Sequence, residues 1–147
     1  MPGVRRDMNV VRLPRSIVNQ LLQLAQKSPE EEICGLISRD QRGFKNCYPV
    51  VNVADDKKHC FALDPKGQIE AIRSMREHGE ELGAIFHSHP DSPALPSLAD
   101  IEQHEYPGVL YLIISLGKKG APEMRGYHIH GSEAGEVAIT LLDQSIP

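Results

Sequence analysis

Residues 87–100 read His-Ser-His-Pro-Asp-Ser-Pro-Ala-Leu-Pro-Ser-Leu-Ala-Asp, and they follow a run of mostly apolar residues that starts at Leu82. This run predicts a central strand over 82–87, and Pro90 stops it because proline cannot donate to the ladder of a sheet. Alternate residues of a strand face the same side, so His87 and His89 project together from its end. After a proline-rich loop, a short helix is expected to begin at Ser97. The stretch therefore predicts polar side chains gathered at one end of a sheet.

The two histidines and the aspartate of this stretch suit a metal ion. Two imidazole nitrogens on one strand are half of a tetrahedral zinc site. Asp100 lies in the first turn of the predicted helix and can reach the histidines once the loop folds back, which makes it the best candidate for a third ligand. Two histidines and one carboxylate leave a fourth position for water, as in hydrolytic rather than structural zinc sites.

Each part of this pattern also has a simpler interpretation. A His-x-His pair alone is more often an ordinary surface feature than a metal site. Ser97 and Asp100 alone are typical of a helix N-cap with an acidic residue in its first turn, worth about 1 kcal/mol. The parts taken together, with Pro90 ending the strand and a defined loop between them, favour the metal site.

Hydrolysis at such a site needs a group that takes a proton from water and passes it to the leaving amine. A partly buried carboxylate with a raised pKa suits this role. Among three consecutive acids, only Glu32 continues the alternation of the following strand, where it shares a face with Cys34 and Leu36. Glu30 and Glu31 are interpreted as a solvated acidic cluster. Glu32 is therefore the candidate general acid/base.

Outward from these residues, the sequence alternates between strand and helix periodicities, which indicates an α/β domain. Two longer helices are expected, from Pro14 to about residue 27 and from Asp64 to about residue 78, besides the short helix at Ser97. The predicted strands cover residues 10–13, 32–38, 44–53, 61–63, 82–87, 109–115, 123–130 and 136–142. The expected architecture is a mixed sheet with two larger helices and one small helix.

Length and composition limit what the protein can be. With 147 residues, the chain is expected to form a single domain over residues 1–147, with an ordered core at about 8–142. A net charge of −4 argues against a general nucleic-acid binder. No apolar run approaches the roughly 18 residues needed to span a membrane. The basic stretch at residues 1–7 leads into no apolar segment and is not interpreted as a signal peptide.

Three cysteines without a Cys-x-x-Cys pair suggest a reducing compartment, so we expect the protein to be cytoplasmic. Cys34 could be a nucleophile, but its place in an apolar strand favours an inert buried thiol. The 13-residue intervals between Cys34, Cys47 and Cys60 match no zinc-knuckle spacing. A second His-x-His pair, His128 and His130, has no acid in the equivalent position after it and is interpreted as an exposed strand face.

The combined pattern resembles the signature of the JAMM (MPN-plus) metalloenzymes. It consists of Glu32 in a Glu-Ile-Cys-Gly strand, His87 and His89 followed by proline, and then Ser97 and Asp100, with seven residues between His89 and Ser97. The resemblance covers about residues 10–142 and implies an α/β fold of the JAB/MPN type (cytidine-deaminase-like), with a curved mixed sheet. It implies that His87, His89 and Asp100 bind one zinc ion, that Glu32 is the general acid/base and that Ser97 stabilises the oxyanion.

The chain is most similar to the stand-alone prokaryotic branch of that family. This similarity implies a metallopeptidase that hydrolyses a peptide or isopeptide bond after the C-terminal Gly-Gly of a ubiquitin-like or sulfur-carrier protein, held as an extended tail. One alternative is a module that binds ubiquitin-like proteins without cleaving them. Another is a RadC-like role near DNA repair, against which the acidic balance weighs. The sequence leaves open whether the protein is a monomer or a homodimer.

Overall fold

The computed structural model describes residues 10–117 and 121–143, so the basic segment 1–7 and the first residues of the predicted core lie outside the described residues. Within that part of the chain, the strands and helices follow the alternation expected from the sequence. In chain order they are β1 (Val10–Pro14), α1 (Arg15–Gln26), β2 (Cys34–Asp40), β3 (Gly43–Val50), α2 (Pro65–Glu77), β4 (Glu81–His89), α3 (Leu98–Glu102), β5 (Leu110–Ser115), β6 (Glu123–His130) and β7 (Glu133–Leu142).

The strands form one mixed sheet of seven strands in the order β1-β7-β6-β5-β4-β2-β3. Two pairs, β1 with β7 and β4 with β5, are parallel, and the other neighbours are antiparallel. The edge strands β1 and β3 also contact each other, so the sheet is strongly curled. The predicted curved mixed sheet with two longer helices and one short helix is thus confirmed.

Helix α1 packs against one face of this sheet. Its apolar side chains recur at helical spacing, and Ile17, Leu21 and Ala25 are buried among residues of the central strands. In β4, Ala84 and Phe86 point to this face. Phe86 is fully buried, so the α1 side of the sheet is a closed apolar core.

The opposite face of the sheet carries α2 and the candidate site. Ala71 and Met75 of α2 pack against Ile85 of β4 and Tyr111 of β5. Because side chains alternate along a strand, Ile85, His87 and His89 of β4 lie on the same face of the sheet. The end of β4 therefore presents both histidines on the side away from α1, next to the parallel strand β5.

Several boundaries differ from the sequence predictions: β2 covers Cys34–Asp40 rather than 32–38, β4 reaches His89 rather than 87, and β7 begins at Glu133 rather than 136. Pro14 ends β1 and is the N-cap of α1, so the helix begins one residue later than predicted. β3 ends at Val50 rather than at residue 53, and the strand predicted over 61–63 is reduced to a single bridge between Asn52 and Leu63. The reason is that the backbone N–H of Ala62 bonds to the side chain of Asn52 instead of to a neighbouring strand.

Within the part of the chain described here, no helix has the length and apolar character needed to cross a bilayer.

Candidate metal centre

His87 and His89 stand side by side at the end of β4, where both are buried. Their Nε2 atoms lie 3.2 Å apart. Ser88 between them faces the other side, where its Oγ accepts a hydrogen bond from the backbone N–H of Ile33 at 2.8 Å, and its own N–H donates to the Ile33 carbonyl at 3.0 Å. The strand end is thereby joined to the segment just before β2, which carries Glu32.

Asp100 reaches the histidines from α3. A capping box fixes it: the Asp100 N–H donates to Ser97 Oγ at 3.0 Å, and the Ser97 N–H donates to Asp100 Oδ2 at 2.8 Å. The same Oδ2 lies 3.1 Å from His87 Nε2 and 3.3 Å from His89 Nε2. The structure therefore brings together the three residues that the sequence predicted as metal ligands.

The separations between these three atoms fit a tetrahedral metal ion. Ligand atoms bonded to zinc at about 2.0–2.1 Å in tetrahedral geometry are about 3.3 Å apart, and the observed separations are 3.1–3.3 Å. The other ring nitrogen of His89, Nδ1, lies 2.8 Å from the carbonyl of Pro93. A carbonyl acceptor at this position fixes the tautomer that leaves Nε2 available as a ligand. The donor set thus fits zinc.

Glu32 lies beside this cluster, just before β2, and its side chain is buried with 4% of the residue exposed. A carboxylate oxygen of Glu32 and ring nitrogens of His87 and His89 all lie within 4.8 Å of one another. In the described part of the chain, Glu32 Oε1 is the buried side-chain polar atom that has no hydrogen-bond partner. Such an atom is costly unless a ligand or water pairs with it. Glu32 Oε1 is therefore available to pair with a bound molecule.

The two carboxyl groups of the site have opposite pKa shifts. Burial raises the pKa of Glu32 to about 8. Burial acts in the same direction on Asp100, but its hydrogen bonds to His87 and His89 outweigh it and hold the pKa of Asp100 well below its usual range. Asp100 is therefore ionised at neutral pH, whereas a substantial fraction of Glu32 is protonated.

The histidines are also shifted. Burial lowers the pKa of His87, which keeps its ring neutral and able to bind a metal. Burial would lower the pKa of His89 as well, but its hydrogen bonds to Asp100 and to the Pro93 carbonyl outweigh this effect and raise it.

A cavity of about 130 Å³ adjoins the cluster on the side of His87 and Asp100. The ring of Phe61 stacks on His87 with 4.3 Å between ring centroids and 19° between planes. Most of the other lining is apolar and comes from the strands and from the residues around α3, including Leu63, Ile85, Pro96, Ala99, Tyr111, Ile113 and Ile129. The cavity therefore presents a mostly apolar surface beside His87 and Asp100.

The remaining candidates of the sequence are not members of this cluster, although Cys60 lines the same cavity and Cys34 lies opposite His87 in the sheet. Cys34 is buried in β2, burial raises the pKa of its thiol to about 12, and Sγ donates to the Val50 carbonyl, all of which suit an inert thiol. Cys34, Cys47 and Cys60 are all free thiols. The rings of His128 and His130 stack in parallel 6.3 Å apart. Among the described residues, none of these belongs to the group close enough to share a metal.

Two contributors to the site were not found from the sequence. Phe61 was assigned to a strand, and its contact with His87 has no local sequence signal. Asn52, which holds the backbone of Glu32, was not singled out either. An asparagine directly after a strand is a turn signal, and that signal could have drawn attention to it.

Comparisons with known proteins agree with this arrangement. The sequence matches the family described as prokaryotic homologs of the JAB domain over residues 14–129. It is 32% identical over 114 residues to a desampylase of Haloferax volcanii, covering 76% of this chain and 82% of that protein. It is 30% identical over 134 residues to a probable TtuB-protein conjugate cleaving protease of Thermus thermophilus, covering 90% and 84%.

The fold also matches a solved structure. The solution structure of protein DSY2949 from Desulfitobacterium hafniense superposes with a TM-score of 0.80 at 31% identity, covering 91% of this chain and 94% of that one. The family match covers most of the chain, and the JAB-type fold expected from the sequence is thereby confirmed. This chain belongs to the family of prokaryotic JAB-domain proteins.

Proposed function

We propose that the protein is a zinc-dependent metallopeptidase, with one zinc ion per chain. Its reaction would be hydrolysis of the peptide or isopeptide bond after the C-terminal Gly-Gly of a ubiquitin-like or sulfur-carrier protein. Two relatives support this class of substrate, since one is named a desampylase and the other a probable TtuB-protein conjugate cleaving protease. The observation that carries the proposal is the buried Oε1 of Glu32, which has no hydrogen-bond partner, beside the Nε2 atoms of two histidines and Oδ2 of Asp100 at zinc-ligand separations.

His87 and His89 would hold the zinc ion through Nε2, and Asp100 would hold it through Oδ2. When bound, zinc supplies a Lewis acid that polarises the scissile carbonyl and makes water a stronger nucleophile at neutral pH. The capping box and the Pro93 carbonyl fix the ligands before any metal arrives. This preorganisation reduces the rearrangement that binding requires.

Glu32 would move the proton. In its ionised form, a carboxylate oxygen of Glu32 accepts a proton from the attacking water, and the same oxygen then delivers it to the leaving nitrogen. A pKa near 8 in the metal-free protein is close to the working pH, which is the condition for efficient transfer in both directions. A nearby cation favours the ionised form and lowers this value.

Ser97 would stabilise the oxyanion of the tetrahedral intermediate. Its Oγ accepts the hydrogen bond from the Asp100 N–H, so the hydroxyl hydrogen can still be donated to an oxygen of the substrate. Donors of this kind act on charge that develops in the transition state. Loss of Ser97 Oγ is therefore expected to reduce kcat.

The test compares Glu32→Gln, His89→Ala and Glu31→Gln with the parent protein. The substrate is a carrier protein that ends in Gly-Gly followed by extra residues, and its shortening is followed by mass spectrometry. Glu32→Gln should keep stoichiometric zinc and lose turnover by about 10²–10⁴-fold, since it removes the proton acceptor. His89→Ala should lose both zinc and turnover. Glu31 is exposed, so Glu31→Gln should behave like the parent.

Full activity of Glu32→Gln would contradict the assigned mechanism. A purified parent protein that holds no stoichiometric zinc and cleaves no carrier would instead indicate the non-catalytic binding module. We also propose that the chain acts as a single domain in the cytoplasm, with the carrier tail rather than nucleic acid or a membrane as its partner. Gel filtration of the parent distinguishes a monomer from a homodimer.

A further inference from the structure

The side chain of Asn52 makes four hydrogen bonds at the segment between β3 and α2. Its Nδ2 donates to the carbonyls of Glu32 at 3.0 Å and Cys60 at 3.1 Å. Its Oδ1 accepts from the backbone N–H groups of Ala54 and Ala62, both at 3.0 Å. An asparagine amide has two donor hydrogens and two acceptor lone pairs. The amide of Asn52 therefore uses its whole hydrogen-bonding capacity on the backbone around the candidate site.

One arm of this arrangement fixes Glu32. The Glu32 carbonyl accepts from Asn52, and the Glu32 N–H donates to the carbonyl of Lys57 at 2.7 Å. The backbone N–H and carbonyl of Glu32 are thus both bonded to the segment 52–57. Glu32 and this segment both lie outside the strands of the sheet. These two bonds hold the backbone of Glu32 on one side, and the two bonds between Ile33 and Ser88 hold the next residue against the end of β4.

The other arm fixes the ring that covers a metal ligand. Cys60 and Ala62 flank Phe61, and both are bonded to the same amide. The Phe61 ring stacks on His87. The side chain of Asn52 therefore holds the backbone on both sides of the site. It holds the backbone of Glu32 on one side and the backbone around Phe61 on the other.

We propose that Asn52 is a positioning residue, which holds Glu32 and the Phe61 segment in register with the metal ligands. The role in catalysis rests on the function proposed above, whereas the structural tie does not. No other side chain of this size supplies two donors and two acceptors in one plane. Aspartate lacks the donors, leucine lacks both, and glutamine places the amide one methylene further out.

The test measures steady-state kinetics, thermal unfolding and backbone amide exchange for Asn52→Leu, Asn52→Asp and the parent. The control is Asn46→Leu, because the Asn46 amide bonds to the exposed Glu80 carboxylate, outside the candidate site. Asn52→Leu should lower kcat about 10²-fold with KM changed less than about threefold, since a misplaced catalytic group costs rate rather than binding. The amides of Ala54 and Ala62 should exchange at least about tenfold faster. Asn46→Leu should change neither kcat nor the exchange rates of the Ala54 and Ala62 amides.

Asn52→Asp separates the two donor bonds of the amide from its two acceptor bonds. It keeps the acceptor for Ala54 and Ala62, so these amides should stay protected, but it sets a carboxylate oxygen against the carbonyls of Glu32 and Cys60. A loss of kcat similar to that of Asn52→Leu, with Ala62 still protected, supports the role of the donor bonds to Glu32 and Cys60. Unchanged kcat in Asn52→Leu overturns the proposal, as does a loss of activity that only matches the fraction of protein unfolded at the assay temperature.

If the parent protein cleaves no carrier conjugate, the proposed function is wrong, but the structural role of Asn52 is still open to test. Amide exchange in the metal-free protein then still decides whether Asn52 ties the segments together. Unchanged exchange of Ala54 and Ala62 in Asn52→Leu would overturn the tie itself.

Discussion

Glu32 differs from the two acids before it in burial rather than in chemistry. Glu30 and Glu31 are exposed, whereas Glu32 is almost fully buried. The alternation of the following strand predicts which of the three turns inward. The backbone of Glu32 is held by Asn52 and Lys57, which are 20 or more residues away along the chain. Sequence periodicity carries no information on such contacts, so only the choice of residue could be predicted.

The burial of Glu32 predicts a pH-dependent loss of stability in the metal-free protein. A carboxyl with a pKa of about 8 when folded, against its usual value of 4.5, holds its proton to higher pH in the folded state. Stability therefore falls as pH rises from 4.5 to 8, by up to about 5 kcal/mol from this group alone. Glu32→Gln removes this dependence, so it should become progressively more stable than the parent between pH 5 and pH 8.

Urea unfolding of both proteins in the presence of a chelator measures this difference at each pH. The comparison reports Glu32 together with its electrostatic coupling to His89. An equal stability difference at pH 5 and pH 8 would show that Glu32 is not buried in the way described.

At the scale of elements, the order of helices and strands follows from local patterns, and the exceptions have a physical cause. The segment over 61–63 has strand-like residues, yet its partner groups are the side chain of Asn52 and two isolated backbone bonds, from Val53 N–H to the Ala62 carbonyl and from Asp64 N–H to the Val51 carbonyl. A side chain that replaces a strand neighbour cannot be recognised from periodicity. The capping signal of Ser97, by contrast, is local: Ser97 is the N-cap of α3, and the helix begins one residue later than predicted, at Leu98.

Close contact between β2 and its neighbours depends on the absence of a side chain at Gly35. A Cβ atom there would lie 2.4 Å from Phe86 Cζ and 2.5 Å from the Tyr48 carbonyl oxygen. Gly35→Ala should destabilise the protein by about 1–3 kcal/mol, because the fully buried Phe86 has little room to move. Gly67→Ala in α2 is the control, since its nearest neighbour would be a methyl group of Val50 at 3.2 Å and alanine favours a helix by about 1 kcal/mol.

Urea unfolding midpoints compare the two alanine variants. Equal stability for Gly35→Ala and Gly67→Ala would contradict the close approach of β2 to β4.

The capping box of α3 should link helix stability to metal binding. Ser97→Ala removes the acceptor for the Asp100 N–H, which should cost about 1 kcal/mol of stability. It also frees the first turn that orients Asp100, so zinc affinity should fall by about tenfold. Ser97→Thr keeps the hydroxyl and should retain both properties. Competition with a chelating dye measures zinc affinity, and equal affinity in Ser97→Ala and Ser97→Thr would show that the cap does not position the ligand.

At the scale of the whole molecule, the site lies where three independent parts of the chain meet. The carboxyl end of β4 supplies the histidines, α3 folds back across the sheet with Asp100, and the segment before β2 supplies Glu32. The spacing of the motif predicts that the end of β4 and α3 meet, since only a short loop joins them. The approach of Glu32 follows from the antiparallel pairing of β2 with β4, in which Cys34 lies opposite His87.

Because the ligands come from separate elements, zinc should stabilise the fold as a whole. Binding only to the folded state at about 100-fold above Kd adds about 2.7 kcal/mol to the free energy of unfolding. For a domain of this size, that gain should raise Tm by roughly 5–10 °C. Differential scanning calorimetry with and without zinc should show one cooperative transition in each case, since the proposed single domain has no part that unfolds separately. His89→Ala should lose the shift, and a parent protein whose Tm does not respond to zinc would contradict the metal centre.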